Sequence, residues 1–388
     1  MNKPKIRFKG FEGEWNLPSI EDVFEIRNGY TPSKSVESYW IGGTIPWFRM
    51  EDIRASGGFL EDSIQHITPQ AVKNNGLFEK GSIIMATTAT IGVHAQLIAD
   101  SLANQQFTNF LIRKSLRERI IAKYVYYAFF GIDEWAIKNT NSGGLLSVNM
   151  PLLLKQPFFV PSLPEQRAIA SYFTSLDAQI AASTSRLSSL KQIKAASQLN
   201  MFPQKGEMVP RVRFKGFEGE WKERKLGEVC LVNRGVRITR KDLSNAEGYP
   251  VFQNTNYPLG FYQYYNVEAK NPFVIIGGSA GLIGFSNKEF WAADDCVYFK
   301  DKEETDKSFL YNILCSHEAE IKKEVRGSSV PRLDRSILEK LRINLPSLPE
   351  QRAIASYFTA LDAQITLHRK RLEKLKQIKA ACLEKMFA

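Results

Sequence analysis

The side chains best suited to chemistry in this sequence are hydrogen-bond donors gathered in loops. The densest group runs from Arg234 to Lys241 (RGVRITRK), and a second runs from Arg326 to Arg332 (RGSSVPR). Arg, Lys, Asn and Gln can hydrogen-bond the edges of nucleic-acid bases, whereas Lys, Ser and Thr can hold phosphates. The formal net charge of +11 also indicates an anionic partner, nucleic acid being the commonest, although a solvated basic surface would carry the same charge.

Residues for catalysis or metal binding form no recognisable pattern. The stretch from Gly277 to Gly284 (GGSAGLIG) resembles a phosphate-binding loop, but it lacks the Lys-Ser/Thr pair, and we expect a strand to follow it. HExxH and GxSxG motifs are absent. The four cysteines and four histidines are widely scattered, which argues against a zinc site or a disulfide framework. We therefore predict no catalytic residue, no metal site and no cofactor in this chain.

Two internal repeats organise the loops. Residues 161–180, PSLPEQRAIASYFTSLDAQI, recur 185 residues later at 346–365 with one difference, Ser175 against Ala360. Internal similarity of this length indicates a duplicated architecture.

The second repeat has a different spacing. RFKGFEGEW stands at 7–15 and again, 206 residues later, at 213–221. The segments that lie between the repeats, 16–160 and 222–345, are therefore two versions of one module, and the first version is the longer.

Each module is predicted to mix strands and helices around irregular, Gly- and Ser-rich loops. The sequence from Gly81 to Gly92 aligns with that from Phe273 to Gly284, and each copy is predicted to be a strand, a small-residue loop and a second strand. The other predicted strands are 107–112, 158–160 and 291–299, and the predicted helices are 116–130 and 307–325.

The longer repeat predicts two long helices. Ser162 with Glu165, and Ser347 with Glu350, fit the capping box of a helix start. Apolar residues then recur in alternating steps of four and three, which indicates a coiled-coil seam. The seam positions are Ile169, Phe173, Leu176, Ile180, Leu187 and Leu190 in the first helix and Ile354, Phe358, Leu361, Ile365, Leu372 and Leu375 in the second, with Ser183 and His368 as its polar members.

The connectivity predicts that these helices are antiparallel. The first helix, over 164–201, would be about 55 Å long. A parallel partner would require the chain to travel back that distance, whereas an antiparallel partner needs only short connections. The N-terminal repeat would then follow the end of the second helix in space, as its copy follows the first helix in sequence. The expected molecule is pseudo-two-fold and pseudo-circular.

Identity between the two helical repeats extends to polar positions that we expect to be exposed. Packing alone would preserve only the apolar spacing, so an identical surface displayed twice suggests one partner bound twice. Recent duplication is the alternative, but it would also have kept the modules alike. The candidate partner-binding residues are Glu165, Gln166, Arg167 and Asp177, with Glu350, Gln351, Arg352 and Asp362.

This pattern resembles the specificity subunit of type I restriction–modification enzymes over the whole chain. The most specific elements are the two PSLPEQRAIA blocks and the paired FxGFEGEW segments. Also similar are 45–53 (IPWFRMEDI), 104–106 (NQQ) and the segment from Gly284 through 291–295 (WAADD).

The resemblance implies an α+β fold with two mixed target recognition domains separated by a long antiparallel two-helix coiled coil. The expected boundaries are 1–160 and 203–345 for the recognition domains and 161–202 and 346–388 for the helices. Each domain would read one half of a split double-stranded DNA target, and two methyltransferase subunits and then restriction subunits would dock.

The same resemblance implies that S-adenosylmethionine, ATP and Mg²⁺ belong to those partner subunits. The D/N-P-P-Y/F motif of an amino-methyltransferase is absent, since Asn271-Pro272-Phe273 lacks the second proline. We expect a non-catalytic, cytoplasmic protein with no membrane segment.

The loops of both modules carry the candidate DNA-binding residues. They are Arg27, Tyr30, Thr31, Lys34, Arg49, Thr87, Thr88, Thr90, Asn141, Ser142 and Ser147 in the first module, and Arg234, Arg237, Thr239, Arg240, Lys241, Gln253, Asn254, Ser279, Arg326, Ser328 and Arg332 in the second. Because the modules differ, we expect an asymmetric bipartite target, with half-sites about one DNA turn apart or slightly more. The alternative is a coiled-coil scaffold whose modules bind proteins, which the basic charge and Arg-rich loops disfavour.

Overall fold

The computed structural model describes residues 3–141, 144, 146–245, 247–302 and 304–387. The chain forms two compact units, Met1–Ala182 with Arg371–Ala388 and Ser183–Lys370. Each unit contains one module and a stretch of each long helix. Among the described residues, no helix is both long and apolar enough to cross a lipid bilayer.

The two modules have similar sets of elements. The first contains helices α1 (Ile20–Val23), α2 (Met50–Ser56), α3 (Ala122–Lys138) and α4 (Met150–Leu154), with strands β1 (Phe24–Asn28), β2 (Ile45–Phe48), β3 (Phe59–Leu60), β4 (His66–Ile67), β5 (Ile83–Ala86), β6 (His94–Leu97), β7 (Leu102–Ala103), β8 (Phe107–Ile112), β9 (Thr140–Asn141) and β10 (Ser147–Val148), and the long helix α5 (Leu163–Asn200) follows. The second contains β11 (Lys222–Lys225), α6 (Leu226–Val229), β12 (Cys230–Arg234), β13 (Tyr249–Phe252), β14 (Gly260–Tyr262), β15 (Asn271–Ile275), β16 (Ile283–Ser286), β17 (Trp291–Ala292), β18 (Cys296–Asp301), α7 (Lys307–Ser316), α8 (Glu318–Lys323), α9 (Arg335–Lys340) and β19 (Arg342–Leu345), and the long helix α10 (Leu348–Phe387) follows.

Each module contains its own main sheet, and the two sheets have corresponding strand orders. The strand order is β1-β8-β5-β6-β3 in the first module and β12-β18-β15-β16 in the second. A smaller three-stranded sheet accompanies each, with order β4-β2-β7 and β14-β13-β17, and in both its last pair is parallel. The first core is rich in aromatic rings, with Phe24 making edge contacts to Phe110, Phe129 and Phe158.

Hydrogen-bond register shows that the expected alignment of the modules is wrong by three residues. Ala86 pairs with Phe107, the first residue of β8. Ile275 pairs with Cys296, the first residue of β18. Ala86 therefore corresponds to Ile275 and not to Gly278. The isoleucine pairs suggested the shifted match, but the ladder of backbone hydrogen bonds decides the correspondence.

The corrected register also explains a shared glycine. Gly92 corresponds to Gly281, not to Gly284. Both glycines have positive φ, 83° and 86°, a conformation that side chains with a Cβ rarely adopt. The match through Gly284 fails for a physical reason, because Gly284 pairs with Phe273 inside a sheet, where a Cβ would lie 2.1 Å from the Phe273 ring.

Of the strands and helices predicted within the modules, some are confirmed and others are wrong. The strand at 107–112 is confirmed as β8. The strand at 291–299 was wrong, because a turn divides it into β17 and β18. The segment 158–160 forms an isolated bridge, Asn16 to Val160, and no strand. Helix 116–130 begins later, at Ala122, and helix 307–325 is interrupted at His317.

The predicted bounds of the first long helix lie within one residue of the bounds of α5. The predicted seam of both long helices is confirmed. Most of the seam residues are buried, and Ile180, Leu372 and Leu375 are partly buried. Ser183 is buried within this apolar row, and His368 is half-buried. The polar seam positions therefore lie where the periodicity placed them.

Side-chain pairs within each unit show the antiparallel direction. Lys379 Nζ lies 2.6 Å from Asp177 Oδ1 in the first unit, and Lys194 Nζ lies 2.5 Å from Asp362 Oδ1 in the second. These two pairs exchange roles through the 185-residue repeat. Two further pairs are related in the same way: the Tyr172 hydroxyl lies 3.7 Å from the Cys382 thiol, and the Ser197 hydroxyl lies 2.8 Å from that of Tyr357. The contacts between the helices in the first unit thus recur in the second unit, with the two helices exchanged.

Candidate nucleic-acid interface

A pair of hydrogen bonds joins the RFKGFEGEW segment before the first module to the start of α5. Arg7 Nε and Nη2 each donate to a carboxylate oxygen of Glu165 at 2.7 Å. The same guanidinium donates to the carbonyl oxygens of Gly13 and Glu12 at 2.6 and 3.0 Å. Trp15 Nε1 adds a third donor to Glu165 at 3.2 Å. The hydrogen bond with Glu165 raises the pKa of Arg7.

The second copy repeats this joint almost atom for atom. Arg213 Nε and Nη2 donate to the carboxylate of Glu350, both at 2.7 Å, and Arg213 also donates to the carbonyls of Gly219 and Glu218 at 2.7 and 3.1 Å. One contact is missing, because Trp221 Nε1 is buried without a hydrogen-bond partner among the described residues.

The glycines of RFKGFEGEW follow from the same geometry. Gly13 and Gly219 have φ of 83° and 78°, which turns their carbonyl oxygens toward the guanidinium and disfavours any residue with a Cβ. The motif thus encodes a tight turn that closes over its own arginine, followed by a buried tryptophan.

The glutamine next to each glutamate makes a second joint. Gln166 Oε1 accepts from the amide of Ile121, the N-cap of α3, at 3.0 Å, and its Nε2 donates to the carbonyls of Arg119 and Pro161 at 2.9 Å. Gln351 Oε1 likewise accepts from the amide of Asp306, the N-cap of α7, at 3.2 Å. Each long helix therefore holds the start of its module's principal helix.

These joints correct the partner-binding prediction. Glu165 and Gln166 are 0% exposed, and Glu350 and Gln351 are 2% and 4% exposed. The expected exposure was wrong for these four residues, and the capping-box prediction gave the glutamates the wrong partners. Asp177 and Asp362 are half-buried in the interhelical ion pairs described above.

Two of the candidates, Arg167 and Arg352, are exposed on the first turns of the helices. Arg352 forms an ion pair with Glu304 at 2.7 Å. The repeated sequence is thus accounted for chiefly by contacts inside the chain.

Backbone hydrogen bonds bring together the loops of the second unit that carry the candidate DNA-binding residues. The Ser279 amide donates to the carbonyl of Asn254 at 3.0 Å, and the Gly278 amide donates to the carbonyl of Pro331 at 3.1 Å. Three loops distant in sequence therefore meet just beyond the end of β15, an interior strand of the sheet.

Side chains complete this surface. Arg332 Nη1 lies 3.6 Å from Asp295 Oδ1. Arg234 Nε donates to the carbonyl of Asp294 at 2.6 Å, and Gln253 Nε2 approaches Asp294 Oδ1 at 3.5 Å. The result is a surface of guanidinium, amide and carboxylate groups, which can pair with the donors and acceptors of base edges.

The equivalent loops meet in the first unit. The Ala89 amide donates to the carbonyl of Leu146 at 2.8 Å, and the Asn104 amide donates to the carbonyl of Phe48 at 3.0 Å. Ala89 has a positive φ of 63°, at the position of Gly278. The two surfaces therefore share one backbone plan.

The side chains on this first surface are mostly uncharged. Thr31 Oγ1 donates to Gln105 Oε1 at 2.5 Å, and Asn141 Nδ2 approaches Ser147 Oγ at 3.4 Å. Gln106 follows Gln105 and holds the position that Asp295 has in the second unit, since both accept the amide of the residue after the central strand.

The other predicted DNA-binding residues divide by exposure. The exposed ones are Lys34, Asn141, Arg234, Arg237, Thr239, Arg240, Lys241, Asn254, Ser279, Arg326, Ser328 and Arg332, and the half-buried ones are Arg27, Tyr30, Thr31, Arg49, Thr88, Thr90, Ser147 and Gln253. Ser142 lies outside the described residues.

Three candidates have internal roles instead. The guanidinium of Arg27 donates to the carbonyls of Asn75 and Leu77. The Tyr30 hydroxyl donates to the carbonyl of Ala71 at 3.2 Å. Thr87 is buried, with its hydroxyl 2.8 Å from that of Thr108. Their polar atoms face the fold because strand alternation and loop packing turn them inward.

The carboxylates and amides that follow the two-residue strands β7 and β17 were not predicted from the sequence. These are Asp294 and Asp295 in the second unit and Gln105 and Gln106 in the first. Adjacent aspartates in the middle of a predicted apolar strand were the available signal for a turn. Within the described part of the chain, no three His, Cys, Asp or Glu side chains gather as a possible metal site.

Comparisons with known proteins give this architecture a family. A family model described as the type I restriction modification DNA specificity domain matches residues 12–192 and 218–377. The chain is 29% identical over 385 residues to the type I restriction enzyme EcoprrI specificity subunit of Escherichia coli, covering 96% of this chain and 92% of that one. It is 24% identical to the MjaIX specificity subunit of Methanocaldococcus jannaschii, with the same coverage.

The fold comparison agrees. The crystal structure of the type I restriction–modification system S subunit from M. genitalium matches with a TM-score of 0.69 at 17% identity, covering 100% of this chain and 99% of that one. The chain contains two matched copies of the domain, and each copy includes the start of one of the two long antiparallel helices. The chain belongs to the family of DNA specificity subunits of type I restriction–modification systems.

Proposed function

We propose that the two loop surfaces of this specificity subunit each read one half of an asymmetric, bipartite DNA sequence. The observation that carries the proposal is the shared backbone plan bearing different side chains. Corresponding loops offer Thr31, Gln105 and Ser147 in one unit but Arg237, Asp294 and Arg332 in the other. Because base identity is read by side-chain donors and acceptors, such surfaces would select different sequences.

Charge on the second surface supports phosphate binding as well. Arg237, Arg240 and Lys241 are exposed beside β12, and cations of this kind anchor a protein to the DNA backbone without reading its sequence. The competing role, a scaffold whose modules bind proteins, gives no reason for this excess of exposed cations.

The proposed partners are two methyltransferase subunits, and restriction subunits joined through them. With the glutamates and glutamines buried in joints, the repeated exposed surface consists of the turn after Arg7 or Arg213 and the helix start that bears Arg167 or Arg352. An identical surface presented once per unit would bind the same partner twice.

Chemistry is proposed to lie in those partners. This chain would supply sequence recognition, while S-adenosylmethionine, ATP and Mg²⁺ would bind to the partner subunits. A chain with this role would act in the cytoplasm of its host, beside the DNA it reads.

Co-expression with a methyltransferase subunit tests the recognition role. Sequencing that detects methylated bases should reveal one motif with two unlike halves that disappears when this chain is omitted. Two identical half-sites, or a motif that persists without this chain, would contradict the proposal.

The partner surface needs its own variants. Arg167→Glu alone and Arg352→Glu alone should each lower the bound methyltransferase from two copies to one, and the double variant should bind none, as measured by native mass spectrometry. Arg186→Glu, another exposed arginine of α5, is the matched control and should retain two copies. Full occupancy in the double variant would exclude this surface.

A further inference from the structure

We propose that Arg332, oriented by Asp295, reads a guanine in the half-site of the second unit, and that the first unit makes no such contact. The inference rests on the proposed DNA-reading function and assigns a base to one residue. It follows from three features of Arg332: a fixed backbone, an exposed guanidinium and a carboxylate beside it.

The backbone of Arg332 is held from two sides. It forms a bridge with Gly277, and its amide and carbonyl exchange hydrogen bonds with those of Arg326 at 2.8 and 2.9 Å. The next amide, of Leu333, donates to the carbonyl of Ile276 at 2.9 Å. The side chain nevertheless keeps 62% of its surface exposed. The Arg332 side chain thus extends from a rigid backbone, which the reading of a DNA base requires.

Asp295 is placed to orient the guanidinium of Arg332 without occupying its N–H donors. Its side chain is only 20% exposed, and the 3.6 Å separation from Arg332 Nη1 is an ion pair rather than a hydrogen bond. A Cβ at Gly277 would lie 2.5 Å from the carboxylate, so a glycine is needed there. The guanidinium keeps N–H groups free for the O6 and N7 acceptors of guanine, the commonest bidentate contact of arginine.

Other cations of this surface lack that combination. Arg234 donates its Nε hydrogen to the carbonyl of Asp294. Arg326 is 76% exposed and contacts Glu324 and the carbonyl of Lys323 at the rim. The Glu324 side chain is itself 47% exposed, against 20% for Asp295, so it orients its arginine less firmly. Such an arginine suits phosphates, which tolerate many approach directions.

The first unit differs at the same two positions. Thr88 bridges to Ser147 as Gly277 bridges to Arg332. Gln106 occupies the place of Asp295, because the Thr87 amide donates to its carbonyl as the Ile276 amide donates to that of Asp295. A serine and a glutamine do not form the guanine contact of an arginine; glutamine pairs best with adenine.

The test uses the complex of this chain with its methyltransferase subunit and the motif found by sequencing. Each guanine of that motif is replaced, one at a time, by 7-deazaguanine, which lacks the N7 acceptor. Wild-type binding should fall roughly 5- to 100-fold at one guanine of one half-site. Arg332→Met should bind the natural duplex that much more weakly and should be indifferent to the same replacement.

Two further variants separate reading from simple attraction. Arg326→Met, the matched control, should weaken binding slightly and equally for all sequences, and should keep the sensitivity to 7-deazaguanine. Asp295→Asn should reduce discrimination against other bases at that one position, while leaving the other half-site read as before.

The outcomes distinguish this inference from the proposed function. If the wild-type complex recognises a motif but no guanine replacement matters, or if Arg332→Met stays sensitive at the same guanine, the assignment is overturned and DNA reading stands. If the wild-type complex shows no sequence-dependent binding at all, the proposed function fails first. A wild-type series in which no guanine replacement matters overturns the assignment even if Arg332→Met does not fold, and Asp295→Asn then supplies the link to this loop.

Discussion

Removing the glutamate of either joint should loosen the corresponding unit, and the first unit should suffer more. Glu165→Ala would leave the guanidinium of Arg7 facing only backbone carbonyls. Glu350→Ala would do the same to Arg213. Breaking a buried ion pair by removing one partner costs about 3–5 kcal/mol, because the remaining charge is poorly solvated.

The exposure of the arginines and their other contacts narrow the expected free-energy cost of each variant. The side chains of Arg7 and Arg213 keep 17% and 15% of their surface exposed, so water can partly replace the lost carboxylate, and about 3 kcal/mol is expected for each joint. Glu165 also accepts from Trp15, and losing that bond adds about 1 kcal/mol. Trp221 has no such bond to lose. The expected losses are therefore about 4 kcal/mol for Glu165→Ala and about 3 kcal/mol for Glu350→Ala.

Hydrogen exchange followed by mass spectrometry is the appropriate assay, because a chain of two units does not unfold in one step. In Glu165→Ala, peptides that cover the Asn16 to Val160 bridge and the start of α3 should exchange more than a hundredfold faster, since about 1.4 kcal/mol corresponds to a tenfold change. Peptides of the second unit should be unchanged. Glu350→Ala should give the mirrored result.

Glu79→Ala is the matched control. Glu79 and Arg117 form an ion pair at 2.9 Å in the first unit, with side chains 47% and 38% exposed, so less than about 1 kcal/mol is expected. The reasoning is refuted if both joint variants exchange like this control, or if Glu350→Ala proves the more damaging.

Three other outcomes are expected. Lys194→Glu should lower the thermal stability of the helix pair and Asp362→Lys should do the same, whereas the combined reversal should recover most of the loss, because it restores their ion pair. Burial raises the pKa of the Cys230 thiol to about 12, so at pH 8 the thiol stays protonated, and iodoacetamide should label Cys230 far more slowly in the folded chain than in the unfolded chain, as followed by mass spectrometry. The logarithm of the association constant of the methyltransferase complex for DNA should fall linearly with the logarithm of the salt concentration, measured by fluorescence anisotropy, because phosphate contacts release counterions.

Regular periodicity made the helical frame predictable. The steps of four and three residues placed Ile169, Phe173 and Leu176 on one buried face, and the chain order then required an antiparallel partner. Only local spacing and connection length enter such reasoning, and both can be read from sequence. The sheet order and the crossing of distant strands involve long-range pairing, which the sequence pattern did not reveal.

Burial of the repeated polar residues was beyond the sequence pattern. Glu165 and Gln166 are strongly polar, and such residues are mostly exposed unless they are paired. Their partners, Arg7 and the Ile121 amide, lie far away along the chain. The two repeats occur together in each half, and that co-occurrence was the available hint that they touch.

The recognition loops were located better than their members. The Arg234 and Arg332 segments do meet at one surface, but the matching of the modules slipped by three residues because short apolar runs look alike. Asp295 was overlooked because a carboxylate beside an arginine gains its meaning only from their distance in space.

The duplicated joint also has a consequence for how this chain can evolve. The hydrogen-bonded joint that fixes each module to its long helix is made by one arginine turn and one Glu-Gln pair, and these are identical in both halves, while the loops between them have diverged in length and sequence. A new module inserted between the same two segments would be attached by the joint that is already present. Selection can therefore alter what is recognised without having to reinvent how it is held.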